Sequence, residues 1–382
     1  MRIAFYAPLK PIDHPVPSGD RLMARAFFGL LAGAGHAVEV ASRLRSFDRT
    51  GDRHQQLAVR AAGEREAAEL VERYRHGHAP ALWFTYHAYH KAPDWLGPAV
   101  SRALGIPYVV AEASIAGKQA GGPWDLGHRA TIAAVDAAAA VLAMTQVDAR
   151  NLAKYATEPS RLVLFPPFLD APTQPSGGAA DARRRLARSL DLPEDTVWLA
   201  VVAMMRDDIK AASYRLLADA LARLVQPDWR LLVIGDGAAG AAIRERLRAV
   251  AGDKVRFLGE QPPNGVAELL AAADIFAWPG LEEAYGMAIL EALAAGLPVV
   301  ACAEGGIPDL VEHGRNGFLA PDRSAAALAT HLDRLIADAG LRQRLAAEAA
   351  ARVRERHSLA AAGARMAHVL AAVTRQGRLP CS

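Results

Sequence analysis

Glu291 is the only charged residue between Ala284 and Ala303, in the run AYGMAILEALAAGLPVVACA. So apolar a stretch does not read as a surface helix. A carboxylate inside it needs partners, because an unpaired buried charge is costly and is otherwise discharged by taking up a proton. Glu283 stands eight positions earlier, in the loop after the predicted strand segment DIFAWPG. A helix opening near Gly286 then puts Glu291 on its second turn, on the face of Met287, Leu290 and Ala294. Two carboxylates about a turn apart suit the vicinal hydroxyls of a sugar or ribose, for which an ionised carboxylate is a strong acceptor. On this reading Glu291 stays ionised for a ligand. The structural alternative is a glutamate that caps a helix or bonds within the core.

Other residues point the same way. In MMRDDIK, Arg206 and Lys210 leave the end of the predicted buried strand VWLAVVAMM, where a loop begins. Two cations there suit a diphosphate, the guanidinium by forked hydrogen bonds and the ammonium as a point charge. Alternatively, Asp207 and Asp208 neutralise them as local pairs. AEGGIPDLV places Gly305 and Gly306 where the strand PVVAC turns into a short helix near Ile307 and Pro308. Paired glycines let backbone N–H groups approach an anion at the positive end of a helix; a turn without a ligand is the alternative. GDGAAG, Gly235 to Gly240, has the spacing of a dinucleotide fingerprint, with Gly235 and Gly237 in its turn and Glu260 near the place of a ribose-binding acid. It sits in the second βα unit of its series, so a tight turn that packs helix on strand is the competing reading. His87, in TYHAYHK, ends a predicted strand and is a candidate catalytic-centre histidine; a hydrogen-bonded structural histidine is the alternative.

These residues need a scaffold. At 382 residues the chain exceeds the size at which one hydrophobic core stops growing, about 250–300 residues, so two domains are expected. Short β-rich runs alternate with longer helical patterns, the signature of βαβ units and parallel sheets covered on both faces. One series runs from RIAFYAP to RLVLFPP, and a second from VWLAVVAMM to PVVAC, followed by Ala-, Arg- and Leu-rich helices. The Pro/Gly/Ser-rich segment PPFLDAPTQPSGG separates them. In such sheets ligands bind at the carboxyl ends of the strands.

Composition excludes several classes. A 52% hydrophobic, 22% charged chain is ordinary for a soluble protein, and a net charge of +3 gives no reason to expect nucleic acid. The Arg-rich C-terminal helices could touch an anionic membrane surface. Two cysteines, Cys302 and Cys381, build neither a disulfide framework nor a cysteine metal site, which fits a reducing cytoplasm. MRIAFYAPLK reads as a buried strand and not a signal peptide. Ala130 to Thr145, broken by Asp136, reads as a helix end and a strand and not a membrane span. No metal-ligand cluster shows in the spacing.

EAYGMAILE, EALAAGLPVVA, GGIPDLV and NGFLA, in that order and spacing, resemble the GT-B glycosyltransferases of family 4, the retaining sugar transferases. Gly235 to Gly237 resembles the family's G-D-G turn, Arg206 and Lys210 its Arg and Lys phosphate pair, and Ser18–Gly19 its N-terminal glycine loop. The resemblance implies an α/β fold of two Rossmann-like doubly wound parallel-sheet domains facing across a cleft. The acceptor-side domain is expected at 1–170, a linker at 171–180, the nucleotide-sugar domain at 181–357, and at 358–382 a C-terminal helix crossing back to the first domain. It implies a nucleoside diphosphate sugar donor with Glu291 on the ribose, Arg206 and Lys210 on the diphosphate and Glu283 on the sugar. Gly19, Gly235, Gly237 and the backbone of Gly305, Gly306 and Ile307 are expected to support the donor. The acceptor is unidentified, and no cofactor, metal or protein nucleophile is expected. Three departures stand out: the Arg206 to Lys210 spacing is one residue short, Asp309 replaces a usual glutamate, and Glu112 replaces a common histidine. Two further hypotheses are a nicotinamide-dependent oxidoreductase built on the Gly235 turn and a non-catalytic nucleotide-sugar-binding protein. A cytoplasmic enzyme, with peripheral contact at the inner face of a membrane, is the expected setting.

Overall fold

The structure is a computed structural model, and it describes residues 1–16, 18–170 and 178–376. The chain divides into two compact units: Met1–Phe168 joined by the chain from Leu359 onward, and Leu169–Ser358. The first unit contains β1 (Arg2–Tyr6), α1 (Gly19–Gly33), β2 (Ala37–Val40), α2 (Arg53–Arg75), β3 (Leu82–Tyr89) and α3 (Gly97–Leu104). It continues with β4 (Tyr108–Ser114), α4 (Asp125–Ala137), β5 (Ala140–Ala143), α5 (Gln146–Leu152) and β6 (Leu162–Leu164). The second contains α6 (Gly178–Leu190), β7 (Val197–Val202), α7 (Ile209–Leu221), β8 (Trp229–Ile234), α8 (Gly240–Ala251), β9 (Val255–Gly259) and α9 (Pro263–Ala272). Then come β10 (Ile275–Ala277), α10 (Met287–Ala294), β11 (Val299–Cys302), α11 (Ile307–Leu310), β12 (Gly317–Ala320), α12 (Ala325–Ala337) and α13 (Ala339–Arg356). A last helix, α14 (Leu359–Gln376), belongs to the first unit.

Each unit is built on a six-stranded parallel sheet, ordered β2-β1-β3-β4-β5-β6 in the first and β12-β11-β10-β7-β8-β9 in the second. The inner strands are mostly buried apolar runs because helices cover both faces, whereas the edge strands β2 and β6 are partly exposed. In the first unit Phe27 of α1 sits among Phe84, Tyr86, Phe165 and Phe168, with ring centroids 5.1–5.6 Å apart. Gly363 of α14 lies against Leu30 of α1. In the second unit Trp198, Trp278 and Tyr214 are buried in the core. Among the described residues no helix is long and apolar enough to cross a membrane.

Several helix starts follow local capping chemistry. Ser18 caps α1 by accepting the Arg21 N–H, and Asp52 caps α2 from Gln55. Asp208 caps α7 by accepting the Lys210 N–H, which starts that helix at Ile209 and not near Tyr214 as the apolar periodicity suggests. Lys210 is therefore fixed in a first turn, whereas the sequence leaves it in a loop. Two further elements, α5 and β12, escape the sequence reading; both are short. Gly317 is needed in β12 because a Cβ would collide with the Val299 carbonyl across the sheet. Of the linker expected at 171–180, residues 171–177 lie outside the described residues, as does Cys381, while 178–180 open α6.

The doubly wound order positions the sites. Each sheet reverses its winding once, between β1 and β3 in the first unit and between β7 and β10 in the second. At such a switch point adjacent loops leave in opposite directions and open a crevice at the strand carboxyl ends.

Gly235 and Gly237 hold the second crevice together. Both have positive φ, 129° and 154°, and a Cβ on either would strike the backbone of Ala203 or Met205. The Gly235 N–H donates to Gly259, Met205 donates to Asp236, and Ala239 donates to Met205, so the loops after β7 and β8 are laced together. Gly235→Ala should cost about 2 kcal/mol or more and lower the melting temperature visibly in calorimetry. Gly19→Ala, whose Cβ meets nothing within 4 Å, should shift it by less than about 1 °C.

Candidate functional site

At the switch point of the second sheet, the loop after β7 carries Arg206, the first turn of α7 carries Lys210, and the loop after β10 carries Glu283. The Lys210 ammonium is ion-paired directly with the Glu283 carboxylate. Both side chains are largely buried, 15% and 18% exposed. Trp278 donates its indole N–H to the same Glu283 oxygen at 3.2 Å, and Lys210 Nζ lies 5.6 Å from the centre of the Trp278 ring. Arg206 behaves differently. It is half exposed and pairs with Asp208 at 3.0 Å, as the local-pair alternative expects. The two cations that spacing treats as one device are thus held by different partners, Arg206 locally and Lys210 across the switch point.

The Glu283 loop is pinned from the opposite side by the turn after β11. Gly305, at φ 56°, lies so close to the Glu283 carbonyl that a Cβ would collide with it, and the Gly306 N–H donates to that carbonyl at 3.2 Å. The Ile307 N–H donates to Glu304. The N–H groups of Gly306 and Ile307 thus have partners within the chain, and this turn helps to place Glu283. The Gly235 and Gly237 turn likewise packs on the β7 loop, and Asp236 within it pairs with Arg244 at 3.0 Å. Gly19 opens α1 in open space.

Glu291 sits on the second turn of α10, as expected, with buried Ile289, Leu290, Ala292 and Leu293 around it. Among the described residues no side chain hydrogen-bonds to it or pairs with it, and burial alone pushes its carboxyl up to about 7. In the fold without a ligand, burial therefore opposes its charge, and among the described residues no side chain offsets that cost. Asp94 shows the contrast. That fully buried carboxylate accepts from Thr85, Tyr108, and the backbone of Leu96 and Gly97, and so is spent on the fold.

The first sheet's switch point holds a second cluster. His87 Nδ1 lies 3.2 Å from Asp20 Oδ1, on the first turn of α1, and 3.6 Å from Glu112 Oε1 on β4. His87 and Glu112 both have positive φ, 61° and 55°, and interrupt the β3–β4 register between the Tyr86–Ala111 and Ala88–Ala113 pairs. That strained double irregularity turns both side chains toward Asp20. Burial works to lower the His87 pKa, but the Glu112 and Asp20 carboxylates outweigh it and raise it. The ligating atoms of Asp20, His87 and Glu112 lie within 4.8 Å of one another. The spacing showed no such cluster because its members come from three separate elements. Sequence reasoning also missed Trp278 and Ser213, whose hydroxyl accepts the Leu281 N–H; an indole just before Pro-Gly at a strand end was the available signal.

A raised carboxylate has a stability signature. Glu291 titrates near 4.5 in the absence of its environment and at about 7 in the fold. Between those values the folded chain retains a proton that the unfolded chain has lost, so this group's contribution to stability falls as pH rises and levels off above about 7. Glu291→Gln should remove that slope and stabilise the nucleotide-free protein at neutral pH by an amount approaching about 3 kcal/mol. Melting curves of both proteins between about pH 5 and pH 8 check this; parallel curves would refute it.

The sequence profile of the family described as "Glycosyl transferases group 1" matches residues 197–338. The chain is 31% identical over 301 residues to a D-inositol 3-phosphate glycosyltransferase of Actinosynnema mirum, covering 72% of this chain and 70% of the relative. It is 34% identical over 205 residues to the enzyme of the same name from Stackebrandtia nassauensis, covering 51% of this chain and 45% of that one. Among solved structures, Anabaena HepE in complex with UDP superposes with a TM-score of 0.75 at 20% identity, covering 97% of this chain and 100% of HepE. Sucrose-phosphate synthase from Thermosynechococcus elongatus superposes at 0.74 with 21% identity, covering 98% and 99%. The two Rossmann-like units, the ordered match around Glu283 and Glu291, and these relatives together establish that the chain belongs to the group 1, family 4 glycosyltransferases of the GT-B fold.

Proposed function

We propose that the chain is a retaining transferase that takes its sugar from a nucleoside diphosphate donor bound at the switch point of the second sheet. The observation that carries this is Glu291, a largely buried carboxylate with no side-chain donor among the described residues, on the helix that follows the loop holding the Lys210–Glu283 ion pair. Ribose hydroxyls would donate to Glu291 and complete its ionisation, since hydrogen bonds to the charged form favour it. The diphosphate would take Lys210 and Arg206, and the sugar hydroxyls Glu283. Fixed cations facing the leaving diphosphate stabilise the charge that develops as the glycosidic bond breaks. No cofactor beyond the donor is called for, and a front-face displacement, in which the leaving phosphate accepts the acceptor's proton, needs no protein nucleophile.

HepE was solved with UDP and with UDP-glucose, which makes UDP-sugars the first donors to try. The name of the Actinosynnema relative makes D-inositol 3-phosphate the first acceptor. The carboxylates of Asp20 and Glu112 at His87 favour a hydroxyl over a phosphate at that position.

A thermal-shift panel of UDP, GDP and ADP tests the donor class. Stabilisation should vanish in Glu291→Ala, because a lost hydrogen bond to a charged group costs about 1.5–3 kcal/mol, roughly tenfold or more in affinity. Glu283→Ala should keep nucleotide binding and lose transfer. Wild-type turnover in both variants would sink the assignment, and binding without turnover of any donor would favour a nucleotide-sugar-binding protein.

A further inference from the structure

Among the described residues, Trp278 is the aromatic side chain that hydrogen-bonds Glu283 and lies under Lys210 of the ion pair. It follows the last residue of β10, is 1% exposed, and is fixed by its backbone N–H, which donates to Val300 at 3.0 Å. Tyr214 packs edge-on against its ring at 4.9 Å and is itself anchored by a hydroxyl donated to the Ala203 carbonyl at 2.8 Å. Gly280, at φ 67°, folds the following loop back over the indole; a Cβ there would lie 3.4 Å from Trp278 Cδ1 and 3.3 Å from Glu283 Cγ. The indole is therefore held between α7, β11 and the Glu283 loop.

Among the described residues, the side chains that donate to the Glu283 carboxylate are Lys210 and Trp278. These two donors differ in one respect. The ammonium is a flexible point charge that a diphosphate can draw away, whereas the indole N–H belongs to a rigid, buried ring. Building on the donor reading above, we infer that Trp278 is a positioning residue: once the diphosphate takes Lys210, the indole N–H keeps Glu283 aimed at the sugar. The unliganded ion pair is then a resting state in which both charges satisfy one another, and donor binding exchanges partners without leaving Glu283 unsatisfied. Binding of the nucleotide itself draws on Lys210, Arg206 and Glu291, and does not require the indole.

The test uses the full chain and Trp278→Phe, which keeps an aromatic ring and loses the N–H, beside Trp278→His, which keeps a ring N–H donor. With whichever of UDP, GDP or ADP stabilises the wild type, Trp278→Phe should bind within about threefold of wild-type affinity. Its turnover of the matching nucleotide-glucose, followed as nucleotide release, should fall about tenfold in kcat with KM little changed. Trp278→His should regain part of that loss. In the ligand-free protein, the emission difference between wild type and Trp278→Phe should change when Glu283→Gln or Lys210→Ala is introduced, reporting the contact directly. Wild-type kcat in Trp278→Phe overturns the inference, as does an equal fall of kcat, affinity and melting temperature in both Trp278 variants, since the ring would then only fill the core. If no nucleoside diphosphate stabilises the wild type, the donor reading fails and takes this inference with it; nucleotide binding with unaltered turnover in Trp278→Phe rejects only the role of the indole.

Discussion

The loop from Trp278 to Gly286 has no regular secondary structure, yet it must present Glu283 at a defined place. It is held by bonds from both neighbours in the sheet. On the β7 side, Ser213 accepts the Leu281 N–H and Lys210 pairs with Glu283. On the β11 side, the Cys302 N–H donates to Pro279, the Gly306 N–H donates to Glu283, and Glu304 accepts the Glu282 N–H. Gly305 admits the closest of these approaches by lacking a Cβ. A polar loop in a buried setting must satisfy its own backbone, and here that requirement and the placement of the Glu283 carboxylate are met by the same contacts.

The molecule treats its buried carboxylates in two ways. Asp94 receives four donors from the first unit and ties β3, α3 and β4 together. Glu291 receives none from a side chain, and burial alone raises its pKa. Such a residue weakens the fold at neutral pH, a cost that the donor proposed above would offset by supplying the missing hydrogen bonds. His87 lies between these cases: two carboxylates balance its charge, but the backbone of both His87 and Glu112 is strained to bring them together.

Much of the architecture was legible because it depends on local chemistry. Apolar β-branched runs between helical patterns implied parallel sheets, and caps such as Ser18 and Asp52 mark the helix starts. The placement of Glu283 and Glu291 followed from the loop and helix spacing, since both belong to one βα unit. Short elements were less legible: β12 contributes only four residues, at an edge of its sheet. The Gly235 fingerprint was ambiguous by sequence because the same glycines serve a phosphate or a backbone crossing; the Ala203 and Met205 carbonyls against which they lie show the crossing.

What the sequence by itself determined was the class of the fold and the types of residue at the strand ends, because hydrophobic periodicity, capping and turn chemistry act over a few residues. It also determined that Glu291 would need a partner from outside its own helix. Only the tertiary structure decided which residues meet: Lys210 with Glu283 across 73 positions, Trp278 beneath both, and Asp20 with His87 and Glu112 from three elements. Those pairings depend on which strands become neighbours and where the winding reverses, and the reversal is a property of the whole sheet that no local stretch encodes.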